Sequence, residues 1–351
     1  MRTIYTGAHY GDDQTAINFA ERDGEFAHHQ KYIPIVMGPR ILRGTLENVY
    51  ALGGYRKSVG SQAQDDYVWS PRFKNVRFGS EDPCNEDTDW KGAGTTWAMR
   101  AYGIRSGKFI RCTARDFFGA STGSDGAATT NEGHVWYLTA SPAKNHTITF
   151  KRPKVYHTGG HGIYITTAYD GSGDYDALNP HRVGRAIQPH RGGHVVIDEG
   201  IFENTDQAEG RGSYALNFPD VFSTVHINRT MVKQDIPDGY RKGSEWLSSR
   251  GALSVKGTCD GLYVTSSSFT CMSPSDRTHQ VSIRGPEFAI FDSVNFDCDS
   301  VSVNHTGHGT GWHDGLPLTK KVILRNCKGR ATFSWMGEVK GSVERDWEFT
   351  L

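Results

Sequence analysis

Lys256 and Arg284 stand about one structural repeat apart in the chain. On neighbouring parallel strands two such cations lie about 5 Å apart, near enough for the guanidinium to depress the lysine's pKa. That pair suits β-elimination of a uronate sugar: Lys256 as base removes the proton alpha to the carboxylate, and Arg284 stabilises the developing enediolate. The competing reading is two solvated charges on a sheet face. The densest cluster of titratable groups runs from His157 to Glu199. It offers a His190/Tyr164 base and acid pair, Arg191 and His194 as substrate contacts, and carboxylates at Asp170, Asp198 and Glu199. With Asp220, two of these carboxylates can serve a glycoside hydrolase if about 5 to 9 Å apart.

Other motifs narrow the chemistry. Asp170, Asp174 and Asp176 in DGSGDYD can ligate Ca²⁺ through oxygen, but the spacing is not that of an EF-hand and its final Glu is absent. No other cofactor is required. Trp312, among the glycines of Asn304 to Leu316, offers a platform for a sugar ring, while His305, His308 and His313 beside it could hold a metal. Gly119 to Gly123 reads G-x-S-x-G, yet Ser124-Asp125-Gly126 continue a turn where a nucleophile elbow needs a helix. No phosphate-binding, dinucleotide or zinc-protease motif is present.

The elements that must position these groups form an internal repeat. An apolar residue is followed five positions later by another at Phe73/Phe78, Phe150/Val155, Ile197/Phe202, Ile227/Val232, Val264/Phe269 and Phe291/Phe296, with weaker copies from Ile110 and Leu324. Short alternating runs precede them, such as Val225-His226-Ile227 and Leu262-Tyr263-Val264, and read as strands. Second runs lie upstream at Ile163-Tyr164-Ile165, Ala186-Ile187-Gln188, Ala215-Leu216-Asn217, Ala252 to Val255 and Val281-Ser282-Ile283. No helical segment separates them, although parallel strands need a crossover. Winding the strands as turns of a solenoid solves the connection. An antiparallel β-sandwich is the alternative, but it does not call for equivalent six-residue cassettes. Alternation turns Ile163, Ile165, Ile187, Leu216, Phe218, Leu253, Val255, Val281 and Ile283 inward. It leaves an outer polar stripe of Tyr164, Gln188, His190, Asn217, Ser254, Lys256, Ser282 and Arg284, with Asp220 nearby. Asn217 and Asp220 are thus candidate substrate contacts.

The expected fold is all-β: a right-handed parallel β-helix over residues 46–340, an N-terminal cap over 1–45, a tail over 341–351 and long loops between coils. Asp12 or Asp13 can cap a helix through Gln14 to Glu21 that covers the open end. The opening GAHYGDDQTAI (Gly7 to Ile17), followed by Tyr32-Ile33-Pro34 and Gly38, resembles the start of pectate-lyase-superfamily β-helix proteins of phage tailspikes and polysaccharide depolymerases. The Gly-Asp turn is shortened, and no subfamily's catalytic signature follows. The resemblance implies a homotrimer that binds or cuts a surface polysaccharide, carried with other virion proteins and released by lysis. A non-catalytic virion or receptor-binding component is the alternative it leaves open.

Composition agrees. Lys+Arg and Asp+Glu are 39 each, so the formal net charge is +0 and a nucleic-acid partner is not expected. The 41 glycines exceed the usual ~7% and suit a turn-rich chain. Met1 to Gly7 runs into Asp12-Asp13 without an apolar h-region, so synthesis in the cytoplasm without a signal peptide is expected. No run is long and apolar enough for membrane insertion. Six cysteines without a CxxC pair are expected to be free thiols.

Overall fold

The computed structural model describes residues 2–5, 17–18, 35–37, 45–47, 49–52, 57–61, 72–79, 97–104, 106–117, 120–122, 128–131, 134–140, 147–158, 162–167, 192–203, 214–218, 222–234, 251–255, 259–271, 280–303 and 319–335. Nearly all of these are strand, arranged in three parallel sheets of 9, 10 and 11 strands. Each coil visits them in the same order. One coil passes through Phe222–Asn228 in the first sheet, Met231–Gln234 in the second and Gly251–Val255 in the third, then enters the first again at Cys259–Thr265. The molecule is a right-handed parallel β-helix.

The six-residue cassette is the corner between the first and second sheets. Its first positions stack in register: Phe73, Phe109, Phe150, Ile197, Ile227, Val264, Phe291 and Leu324. Phe109 therefore fills the place expected for Ile110. Both are apolar and adjacent, and only the pairing decides which points inward. Among the described residues the third position is left-handed in eight coils: Asn75, Arg111, Arg152, Glu199, Arg229, Ser266, Ser293 and Asn326 have φ between 47° and 58°. This conformation bends the chain while keeping its polar groups parallel to the solenoid axis. Glu199 N–H donates to Asn228 O at 3.0 Å and Arg229 N–H to Thr265 O at 2.9 Å, so the ladder runs unbroken around the corner. The fourth position is buried and small. There Thr230 and Ser267 donate their hydroxyls to Asn228 O and Thr265 O, and Cys112 and Cys327 occupy the same place.

Inward residues of all three sheets form one core. Phe109 stacks on Phe150 at 4.7 Å and 13°, meets Phe73 edge-on, and Trp136 closes against Phe150 at 5.3 Å. The inward assignments of Ile163, Ile165, Leu216, Phe218, Leu253, Val255, Val281 and Ile283 hold, each fully buried.

One expectation is corrected. Within the span expected to form the capping helix, Ile17–Asn18 is a strand of the third sheet, parallel to Ile35–Met37. Arg2–Tyr5 pairs with Val49–Leu52 in the second sheet. The apolar spacing of Ile17 satisfied a helix and a strand equally, and parallel pairing decided it. The G-x-S-x-G serine, Ser121, lies in strand Ala120–Thr122, which pairs antiparallel with Ala128–Asn131. That hairpin is not the strand–turn–helix frame of a nucleophile elbow.

Candidate functional site

The outward row of the third sheet reads Tyr164, Asn217, Ser254, Ser282 and Ser302, in register strand by strand. Tyr164 pairs directly with Asn217, so no strand carrying Gln188 and His190 intervenes as expected. Each strand has one neighbour on each side, and Asn217's strand takes that place. Val255 pairs with Ile283, and Arg284 N–H donates to Val255 O at 2.7 Å. Lys256, His190, Arg191, Asp220, Trp312, Asp170, Asp174 and Asp176 lie outside the described residues.

This face is not a solvated stripe. Tyr164 and Asn217 are half-buried, whereas Ser254 and Ser282 are each 1% exposed and Arg284 is 4% exposed. Among the described residues the buried Ser254 and Ser282 hydroxyls have no hydrogen-bond partner. A buried hydroxyl left so costs about 1–3 kcal/mol, and such groups call for a water, an ion or a ligand as explanation. The corner between the first two sheets is always the short cassette, while longer connections, such as residues 168–191, 235–250 and 304–318, all begin or end at the third sheet. Loops on a rigid scaffold are where binding sites are usually built.

His194 is not part of that row. It lies on the outer face of the first sheet, its Nδ1 2.7 Å from Thr224 Oγ1 on the next strand. On this face His226 and Tyr263 stack at 4.6 Å and 8°, and Phe288 meets Tyr263 edge-on at 5.7 Å. Burial, with the charge of His194 second, pushes the His226 imidazole below its ordinary pKa and favours the neutral ring. Two residues along the same strands, roughly 7 Å away, a groove of ≈ 640 Å³ is lined by Lys151, Asp198, Asn228, Arg229, Thr265 and Ser266, among others. The alternating runs around His226 and Tyr263 contained the signal for this face, since the residue between two core positions must point out.

Asp198 and Glu199, the carboxylates considered for hydrolysis, sit at the corner beside this groove. Arg229 grips Asp198 at 2.7 and 2.9 Å and reaches Glu199 at 3.2 Å. A hydrogen bond from Arg152 holds the Glu199 carboxyl below its usual range. A carboxylate so held has no proton to give at neutral pH, which disfavours Glu199 as a general acid.

Burial raises the thiol pKa of Cys112, Cys271, Cys298 and Cys327. Cys112 and Cys298 are pushed up to about 12, and Cys271 well above its ordinary value. These are packing groups, not nucleophiles. Among the described residues no group of three metal-ligating side chains occurs, and no helix is long and apolar enough to cross a membrane.

Fold and site together define a class, a parallel β-helix with a covered polar face. No protein-family model matches the chain, nor does any curated protein or solved structure.

Proposed function

We propose that the chain is a polysaccharide depolymerase of the pectate-lyase-superfamily and tailspike type, cleaving a uronate-containing glycan by β-elimination on the outer face of the third sheet. The observation that carries this reading is Arg284, a buried cation that follows Ile283 in the third sheet and whose backbone N–H donates to Val255 O at 2.7 Å. A cation withdrawn from water acts far more strongly on developing charge than one in solvent. In this scheme Lys256 takes the proton alpha to the sugar carboxylate, and the electron pair forms the new C=C bond. The glycosidic C–O bond then breaks, and the departing oxygen takes a proton from Tyr164. Asn217 binds the substrate, with His190, Arg191, Asp220 and Trp312 contributing from the connecting segments. The reading includes a virion-borne homotrimer and no obligatory cofactor, with Ca²⁺ at Asp170, Asp174 and Asp176 as an accessory.

The test is ultraviolet absorbance of the unsaturated product from polygalacturonate, alginate and hyaluronan, with reducing ends assayed in parallel and with EDTA added in one arm. Lys256→Ala is expected to lower the rate by roughly 10²–10⁴-fold and Arg284→Ala by roughly 10²–10³-fold. Arg284→Lys should retain part of the activity, and circular dichroism checks that each variant folds. Reducing ends without new absorbance would transfer the reading to hydrolysis. Neither signal on any of the three would leave glycan binding without cleavage.

A further inference from the structure

The first sheet faces away from the proposed catalytic row, yet its outer face carries a ring platform beside a polar groove. We propose that this face is a second, non-catalytic glycan site, in which a sugar ring of an acidic polysaccharide lies on the His226/Tyr263 platform and its hydroxyl and carboxylate groups enter the groove beside it.

The platform is built in. His226 and Tyr263 are half-buried and parallel on neighbouring strands. Gly261, two residues before Tyr263, leaves the space into which both aromatic neighbours lean. A Cβ there would stand 2.8 Å from the rings of Tyr263 and Phe288 alike. The groove supplies the polar half. Thr265 donates to Asn228 Oδ1 at 2.8 Å, which leaves the Asn228 amide hydrogens as donors. Arg229 is neutralised by Asp198, and Lys151 adds one cation in excess.

This combination selects the occupant. The apolar core of a protein interface laid here would strip water from Lys151, Asp198 and Arg229, which is costly. A nucleic acid needs many phosphate-neutralising cations, and the groove offers a net excess of one. A uronate sugar has an apolar ring face for the aromatics, hydroxyls for Asn228 and Thr265, and a carboxylate for Lys151. The identity of the polymer rests on the lyase reading; the site itself does not.

The test is retardation of the full-length protein in native gels containing polygalacturonate, alginate or hyaluronan, alongside product formation. The wild-type chain is expected to be retarded by at least one polymer. Tyr263→Ala should weaken that retardation about tenfold, the loss of one or two ring contacts. Gly261→Ala should do the same while removing no aromatic group, by pushing the two half-exposed rings apart. Circular dichroism verifies both folds, and sedimentation follows the oligomeric state. Wild-type retardation by none of the polymers, or unchanged retardation of both variants, overturns the proposal. So does a change of oligomeric state in Tyr263→Ala, which would make the face a subunit contact. Product formation with both variants behaving as wild type would sink this site and leave the lyase reading intact; retardation lost in both variants, with no product from any chain, would do the reverse.

Discussion

At the scale of the residue, the left-handed position of the cassette is the smallest unit that makes the fold. Eight side chains other than glycine adopt it, including three arginines and a glutamate. A left-handed residue costs roughly 1–2 kcal/mol for most side chains and less for Asn. The cost recurs because no right-handed residue turns the corner with its N–H still aimed at the next coil. Asn326, exposed and at φ 49°, isolates the effect. Asn326→Val should destabilise by about 1–2 kcal/mol and Asn326→Gly by less than about 0.5 kcal/mol, read as shifts of the urea midpoint at constant slope. Equal shifts would mean that the corner is set by stacking and not by local conformation. The charged members of the position are cheaper to change. The Arg152–Glu199 and Arg229–Asp198 pairs are largely solvent-exposed, and such pairs contribute little.

At the scale of the element, the core ladder explains what could be read from the chain and what could not. The five-residue spacing was legible because both ends of each cassette must be apolar to close one corner over the same core. The register at Phe109 was not, since two adjacent apolar residues satisfy the spacing equally. The outer row of the third sheet was legible by alternation, except that Ala186-Ile187-Gln188 also alternates and so claimed a strand between Tyr164 and Asn217. The platform on the first sheet was not legible because alternation turns His226 and Tyr263 outward without showing that register sets them on neighbouring strands. Burial of Ser254, Ser282 and Arg284 was likewise invisible, since it depends on what covers a face and not on the strand's own pattern. The ladder has a measurable strength. Phe150 is fully buried between Phe109 and Trp136, so Phe150→Ala should cost about 3–5 kcal/mol. Phe150→Leu should cost about half as much or less if the neighbouring rings close on it. A loss below 1 kcal/mol for Phe150→Ala in chemical denaturation would show that this stack is not continuous.

At the scale of the molecule, each coil touches only its neighbours, so stability propagates along the axis as nearest-neighbour contacts, and an end coil has one neighbour fewer. The thiols report on this. Cys112 lies in a coil flanked on both sides, Cys259 and Cys271 lie further along, and Cys298 and Cys327 belong to the last coils described. All five are buried, and those whose shift is known are pushed upward. The native state therefore holds little thiolate, and alkylation has to wait for opening. Pulsed iodoacetamide labelling at pH 8, mapped by mass spectrometry, should modify Cys327 first, Cys298 next, and Cys112, Cys259 and Cys271 only at the rate of global unfolding. The pH dependence has a fixed sign. Unfolded thiols lose their protons near 9.0, whereas Cys112 and Cys298 hold theirs to about 12. Between those values the unfolded state binds fewer protons, so their contribution is complete below about 9 and is lost as pH rises toward 12. The urea midpoint should accordingly fall between pH 8 and pH 10, and substituting Cys112 and Cys298 with Ser should flatten that fall. A single labelling rate for all five cysteines would instead mean that the coils open together, and that the contacts spanning the solenoid outweigh the weakness of its ends.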